Sequence, residues 1–200
     1  MIKKIVVGPI ETNCYIINDD NKNSVVIDPG DQPEKINQYL DKNKLQVACI
    51  IQTHAHYDHI GATRIMQKKW DVPVYLRSED VPMLNMDWSL WTGYPMDITP
   101  PKNPELLDEK TEIKIASMTF KIIHTPGHSP GGICLYCVND NVLFSGDTLF
   151  CDGIGRTDLP NGSYEEMKKS LNKLFEIFPD DTRVLPGHGP ETTIGRERHA

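Results

Sequence analysis

Residues 53–59 read Thr-His-Ala-His-Tyr-Asp-His, and this stretch decides the reading of the chain. It places His54, His56, Asp58 and His59, four side chains of metal-ligand type, within six positions. An HxH pair alone would carry little weight, since neighbouring histidines are often plain surface residues. HxHxDH is harder to explain as a polar loop. The run is delivered by Val47–Thr53, a continuous apolar stretch of the kind found in strands buried on both faces. The candidate ligands therefore fall where a strand ends and a loop held by a rigid scaffold begins.

Three further sites repeat that placement. His128 lies in TPGHS after an expected strand at Met118–His124. Asp147 lies in SGDT after Val142–Ser145, and His188 in PGHG after Arg183–Leu185. Each would be weak alone, as a turn histidine or a turn aspartate. Their glycine neighbours permit backbone angles and close approaches that larger residues forbid. Imidazole and carboxylate together suit zinc, iron or manganese. Seven such groups exceed the four of a structural zinc site. They fit two ions with three or four protein ligands each and room for water. Two ions about 3.5–4 Å apart can share a hydroxide and lower its pKa, which gives a nucleophile without a serine or cysteine.

The remaining chain bounds what this chemistry can act on. At 200 residues the length suits one domain with a sizeable core, and residues 1–200 are expected to form a single domain. A net charge of −7 argues against a general nucleic-acid binder, because phosphate contacts need a basic surface. No apolar run approaches the roughly 20 residues of a membrane span. The N-terminal MIKKIVVGPIETNCYII lacks a signal-peptide core, so the expected location is cytoplasmic and no membrane partner is expected. Five cysteines without a regular framework suit a reducing compartment. Cys14, Cys49, Cys134 and Cys137 read as core, and Cys151 as either a pocket residue or nothing special.

Short strands are expected at Ile2–Val7, Cys14–Asn18 and Ser24–Asp28, then a helix from Pro33 to about Asn43. A helix at about Gly61–Trp70 and a strand at Val74–Leu76 follow. From Ser78 to about Pro104 no period survives, and the aromatics there favour a lid over a disordered segment. Strands at Glu112–Ala116 and Ile133–Val138 belong to the second half. Ser163 with Glu166 forms a capping box, opening a helix whose core face is Tyr164, Met167, Leu171, Leu174 and Phe178. Strands and helices alternate in both halves, which predicts an α/β class with sheets covered by helices.

THAHYDH, TPGHSPGG, SGDTLF, GRTDLP and PGHGPETTIGRER, in this order, resemble the metallo-β-lactamase superfamily, and within it the glyoxalase II-like (hydroxyacylglutathione hydrolase-like) branch. The likeness runs from NCYII to GRER. It implies an αββα sandwich and two divalent metal ions, zinc foremost, with iron or manganese as alternatives. The family pattern places His54, His56 and His128 on one ion, Asp58, His59 and His188 on the other, and Asp147 between them. The resemblance implies a thioesterase acting on hydroxyacylglutathione-like small molecules. A metal-bridging hydroxide would attack the carbonyl, with Asp58 and Asp147 in the catalytic set.

Asp28 in DPG is a candidate partner for a ligand histidine, or else a plain turn residue. His124 reads as core or as a neighbour of the ligands, not as a ligand. Where the glutathione-specific enzymes carry Lys-x-Tyr, this chain has Arg156-Thr157-Asp158, and it ends soon after PGHGP where they carry a helical region. Arg156 could bind a substrate carboxylate as a charged fork, or pair with Asp158. The alternatives to a thioesterase are a lactonase of the same fold and a mononuclear-iron persulfide dioxygenase. The latter typically has PAHDY where this chain has PGHGP. True β-lactamases usually carry cysteine where Asp147 stands, which disfavours antibiotic hydrolysis. The sequence sets no oligomeric state.

Overall fold

The computed structural model describes residues 1–93 and 98–199, in two compact units, Met1–Leu106 and Leu107–Ala200. The first unit holds strands β1 (Ile2–Val7), β2 (Thr12–Asn18), β3 (Asn23–Ile27), β4 (Gln46–Ile51), β5 (Val74–Arg77) and β6 (Glu105–Leu107), paired in that order as one sheet. Its helices are α1 (Pro33–Lys42), α2 (Tyr57–Ile60), α3 (Thr63–Trp70) and α4 (Ser89–Thr92), with a 3-10 helix at Ser78–Asn85. β2 and β3 are antiparallel, whereas β3, β4 and β5 are parallel. The start of β2 and the ends of β3, β4 and β5 therefore share one edge. β2 and β3 are buried along nearly their whole length, as strands covered on both faces must be. Ile16, Val26, Ile50, Ile36, Leu40 and Met66 form the centre of one apolar cluster.

The second unit holds β7 (Glu112–Ile115), β8 (Met118–His124), β9 (Ile133–Cys137), β10 (Val142–Gly146), β11 (Leu149–Phe150), β12 (Gly153–Ile154), β13 (Arg183–Pro186) and β14 (Thr192–Thr193), with helices α5 (Tyr164–Ile177) and α6 (Ile194–Arg198). Six of these strands form a sheet in the order β14-β13-β10-β9-β8-β7, and β11 and β12 make a hairpin. β9 is antiparallel to both β8 and β10, and β10 is parallel to β13. β8, β10 and β13 thus run the same way and end on one edge. A cluster including Cys134, Leu143, Leu174, Val184 and Ile194 fills the core.

Most expected elements are present, with informative differences. The helix expected over Gly61–Trp70 is divided into α2 and α3, and the ligand run itself opens α2. Gly61 sits against the carbonyl of Gly30, where a Cβ would come within 2.3 Å. The stretch read as patternless from Ser78 is packed over its first part. Asp80, Met83, Leu84 and Trp88 are buried, the last three in a cluster with Ala55, Ile60 and Leu76. In α4, Leu90 and Trp91 are exposed. Residues 94–97, inside the expected lid, lie outside the described residues. The expected capping box is half made. Ser163 Oγ accepts from the Glu166 N–H at 3.3 Å, while the Glu166 carboxylate turns to Lys169. Tyr164 is exposed, not core. β6, β11, β12, β14 and α6 were not expected. No helix among the described residues is long and apolar enough to cross a membrane.

Candidate metal centre

In the first unit every part of the ligand run is anchored from the shared sheet edge. Asp28, just past β3, adopts a left-handed φ of 49°, a conformation that aspartate tolerates better than most residues. Its carboxylate accepts from the Thr53 N–H at 2.7 Å, the Thr53 hydroxyl at 2.6 Å and His59 Nδ1 at 3.0 Å. Thr53 Oγ1 in turn lies 3.1 Å from His54 Nδ1. Because that hydroxyl donates to Asp28, it accepts from the His54 ring. One carboxylate therefore sets the tautomer of two histidines, His59 directly and His54 through Thr53, and both rings present Nε2 away from it. Asp28 and the histidine rings are at most 2% exposed.

Asp80, entirely buried after β5, accepts from the Ala55 N–H at 3.0 Å and holds the turn between His54 and His56. Thr12 at the start of β2 donates its hydroxyl to Asp58 Oδ2 at 2.8 Å. The ring of Trp88 stands edge-on to His56, with centroids 5.0 Å apart. Asp58 Oδ2 lies 3.2 Å from His59 Nε2, and the His54 ring centroid is 4.7 Å from that of His56 and 4.1 Å from that of His59. Gly30 makes this closeness feasible. A Cβ there would lie 1.6 Å from the Asp58 carbonyl oxygen, so the loop after β3 packs on α2 only with glycine.

The second unit assembles its three candidates from three loops on one sheet edge. Asp147 Oδ2 lies 3.4 Å from His128 Nε2 and 3.5 Å from His188 Nε2. His128 Nδ1 donates to the Arg156 carbonyl at 2.7 Å, which again directs Nε2 towards the aspartate. Gly155 is the counterpart of Gly30: a Cβ there would be 1.8 Å from the Asp147 carbonyl oxygen and 3.2 Å from His128 Nδ1. Gly127, Gly146 and Gly189 all have positive φ, as their places beside the ligands suggested.

These spacings fit a divalent ion. Two donors bound at about 2.0–2.2 Å and a tetrahedral angle apart stand about 3.3–3.6 Å from each other. The donor pairs within each unit, at 3.2, 3.4 and 3.5 Å, are close to that range and too long for strong hydrogen bonds. Histidines oriented through Nδ1 by a carboxylate, hydroxyl or carbonyl are the usual supporting arrangement for metal ligands.

Residues 7–188 match the Metallo-beta-lactamase superfamily. The chain belongs to that superfamily. As a metallo-β-lactamase-fold protein it is mixed α/β, with two six-stranded sheets and their helices, and it is a metallo-hydrolase. It is similar to a solved structure described as BLEG-1 B3 metallo-beta-lactamase, with 40% identity and a TM-score of 0.94 over 100% of this chain and 97% of that one. It is also similar to TTHA1623 in a di-iron-bound form, with 36% identity and a TM-score of 0.88 over 98% and 96% of the two chains. Among curated proteins, hydroxyacylglutathione hydrolase GloC of Haemophilus influenzae is 33% identical over 100% of this chain and 95% of its own length.

Other residues singled out in the sequence take quieter places within this superfamily member. The Arg156 guanidinium is spread over Asp158 through two contacts of 2.8 and 2.6 Å, so any hold on a substrate carboxylate must compete with that pair. Arg156 holds the Asp158 carboxyl at about 2. His124 Nε2 bonds to the Pro130 carbonyl at 2.8 Å, as a neighbour of the His128 loop. Cys134 and Cys137 have C-x-x-C spacing but lie on one strand, where positions three apart face opposite sides and cannot grip one ion. Burial pushes both thiols up to about 11. Cys151 is half-buried, its Sγ 3.6 Å from Asp152. Thr12, Asp80 and Trp88 are the residues that sequence reasoning missed. They are supports, drawn from the start of β2 and from the stretch read as a lid, and nothing in their local sequence marks them.

Proposed function

We propose that this protein is a binuclear thioester hydrolase of the glyoxalase II-like kind. By the family pattern, His54, His56 and His128 would hold one divalent ion, Asp58, His59 and His188 the other, and Asp147 would contribute to both. The observation that carries this reading is the pairing of ligand-range donor spacings with Nδ1-oriented histidines in each unit. When bound, such ions supply Lewis acidity and bring the pKa of water towards neutrality. Overall, the oxygen of water joins the acyl carbon, the C–S bond breaks, and the thiol leaves with a proton.

The chain's own residues prepare that chemistry. Asp28 and Thr53 keep two imidazoles in one tautomer, Thr12 fixes one Asp58 oxygen, and buried Trp88 limits motion of His56. Zinc or iron serves as the ion, and the di-iron form of TTHA1623 supports iron as much as the donor set supports zinc. The name of GloC, a protein matched over nearly its whole length, supports a glutathione thioester as substrate despite the absence of a Lys-x-Tyr pair.

The test is steady-state hydrolysis of S-lactoylglutathione by protein with measured metal content. Turnover that disappears on chelation and returns with added metal supports the reading. Absence of turnover with two ions bound would overturn it. A second reading, β-lactam ring opening, is favoured by the description of BLEG-1 at 40% identity. Nitrocefin hydrolysis exceeding thioester hydrolysis in kcat/KM would put it first.

A further inference from the structure

A cavity of about 240 Å³ adjoins Asp58 and lies wholly within the first unit. It opens along the sheet edge that carries the ligand run, between the β1–β2 turn, the loop after β3, and α2. Ile10, Tyr57 and Ile98 supply apolar walls, Thr12 and Asp58 its inner end, and Asp31 a second carboxylate. Its volume is below the roughly 300–1,000 Å³ of pockets that enclose whole drug-sized ligands, so it suits a fragment of a substrate.

The charged side chains described in its lining are of one sign. Among the described residues, Asp31 and Asp58 are the two carboxylic acids in its lining, and no lysine or arginine lines it. Nearby Lys35 is tied at 2.7 Å to the Val6 carbonyl. An ion held by Asp58 would cancel that carboxylate's charge, which leaves Asp31 to set the field. Asp31 is exposed, and both of its carboxylate oxygens have neighbours. One oxygen accepts from the Gln32 N–H at 2.6 Å, and the other packs by Gly8, where a Cβ would lie 3.2 Å away.

We infer that this cavity receives the acyl group of the substrate and selects short, uncharged acyl chains over those ending in a carboxylate. The inference rests on the hydrolase reading above and adds what that reading lacks, a basis for acyl choice. A thioester placed with its carbonyl near Asp58 would send its acyl chain between Ile10 and Ile98 towards Asp31. Neutral methylenes gain burial there, whereas a terminal carboxylate meets the like charge of the exposed Asp31. The thiol carrier, anionic in the case of glutathione, extends elsewhere.

The experiment uses zinc-loaded full chain and two readouts. In the first, kcat/KM is measured for butyryl and succinyl thioesters of one thiol, with wild type, Asp31→Asn and Asp31→Lys. Wild type should prefer butyryl by about tenfold or more, and Asp31→Lys should shrink that ratio at least about fivefold. The second reads the Ile10 and Ile98 methyl resonances during titration with butanamide or succinamate, and needs no turnover. Butanamide should shift both methyls, and succinamate should do so only in Asp31→Lys. If no thioester is hydrolysed but the methyls respond as described, the thioesterase reading fails and the pocket stands. If thioesters turn over with a ratio indifferent to Asp31, or if both amides leave the methyls unmoved, the pocket assignment is overturned.

Discussion

The two units solve one problem, holding imidazole and carboxylate donors at metal spacing, in different ways. The first takes four candidates from one run of six residues and surrounds them with side chains: Asp28, Asp80 and Thr12 each reach into it from another element, and Thr53, directly before the run, links Asp28 to His54. The second takes three candidates from three loops, 60 residues apart at their extremes by sequence number, and two of them meet backbone: His128 the Arg156 carbonyl, and both His128 and Asp147 the close approach of Gly155. A dense run needs external carboxylates to fix ring tautomers. Dispersed loops are fixed by where their strands end, because β8, β10 and β13 run in one direction. The first half-site is therefore sensitive to its supports and the second to its ligands.

The largest expected effect falls on the ligand central to the second unit. Asp147→Ala should remove at least one ion per chain and lower kcat/KM well beyond the about 10–100-fold typical of losing an orienting partner. Elemental analysis with kinetics checks this, and far-UV circular dichroism should show the fold retained. Next comes Trp88→Ala. Loss of a buried indole should cost about 3–5 kcal/mol by chemical denaturation, with metal stoichiometry at saturation unchanged. An effect on stability no larger than that of an exposed residue would return this stretch to a mobile lid.

Asp28→Ala sharpens the comparison directly. It removes one carboxylate that orients two histidines, so metal affinity should fall by about 10–100-fold. No single side-chain support in the second unit should match it. Competition with a chromophoric chelator measures the ratio.

The smallest effects concern acid–arginine pairs. Arg77 holds Glu79 down at about 2 in the first unit, as Arg156 holds Asp158 in the second. A depressed carboxylate contributes stability above its unfolded pKa and loses it as pH falls through the folded one. For Glu79 that window runs from about 4.5 down to about 2. Arg77→Met should return the Glu79 carboxyl towards 4.5, read by NMR titration. Asp158→Asn, in a pair exposed on both sides, should leave Tm at pH 7 unchanged.

The same contrast explains what was legible in the sequence. β1 and β8 match their expected bounds, and α1 differs by one residue at its end, because hydrophobic runs closed by Pro, Gly or a polar turn are local signals. The HxHxDH run was legible for the same reason, since its crowding has no other cause. His128, Asp147 and His188 carried weight only through the order and context of their motifs. Nothing local in PGH or SGD tells a metal ligand from a turn. Thr12, Asp80 and Trp88 stayed hidden because their roles depend on which strands are neighbours, and strand order is not a local property. The first part of the stretch from Ser78 showed no legible period because a 3-10 helix around Pro82 has no 3.6-residue repeat, although Asp80, Met83 and Leu84 are buried.

The most direct test of the central claim is the number of metal ions per chain in wild type and Asp147→Ala, measured on protein loaded with excess zinc or iron and then desalted. The account predicts two ions in wild type and one or none in the variant, with hydrolysis lost in parallel. A single ion in wild type, or two that survive removal of Asp147, would contradict it.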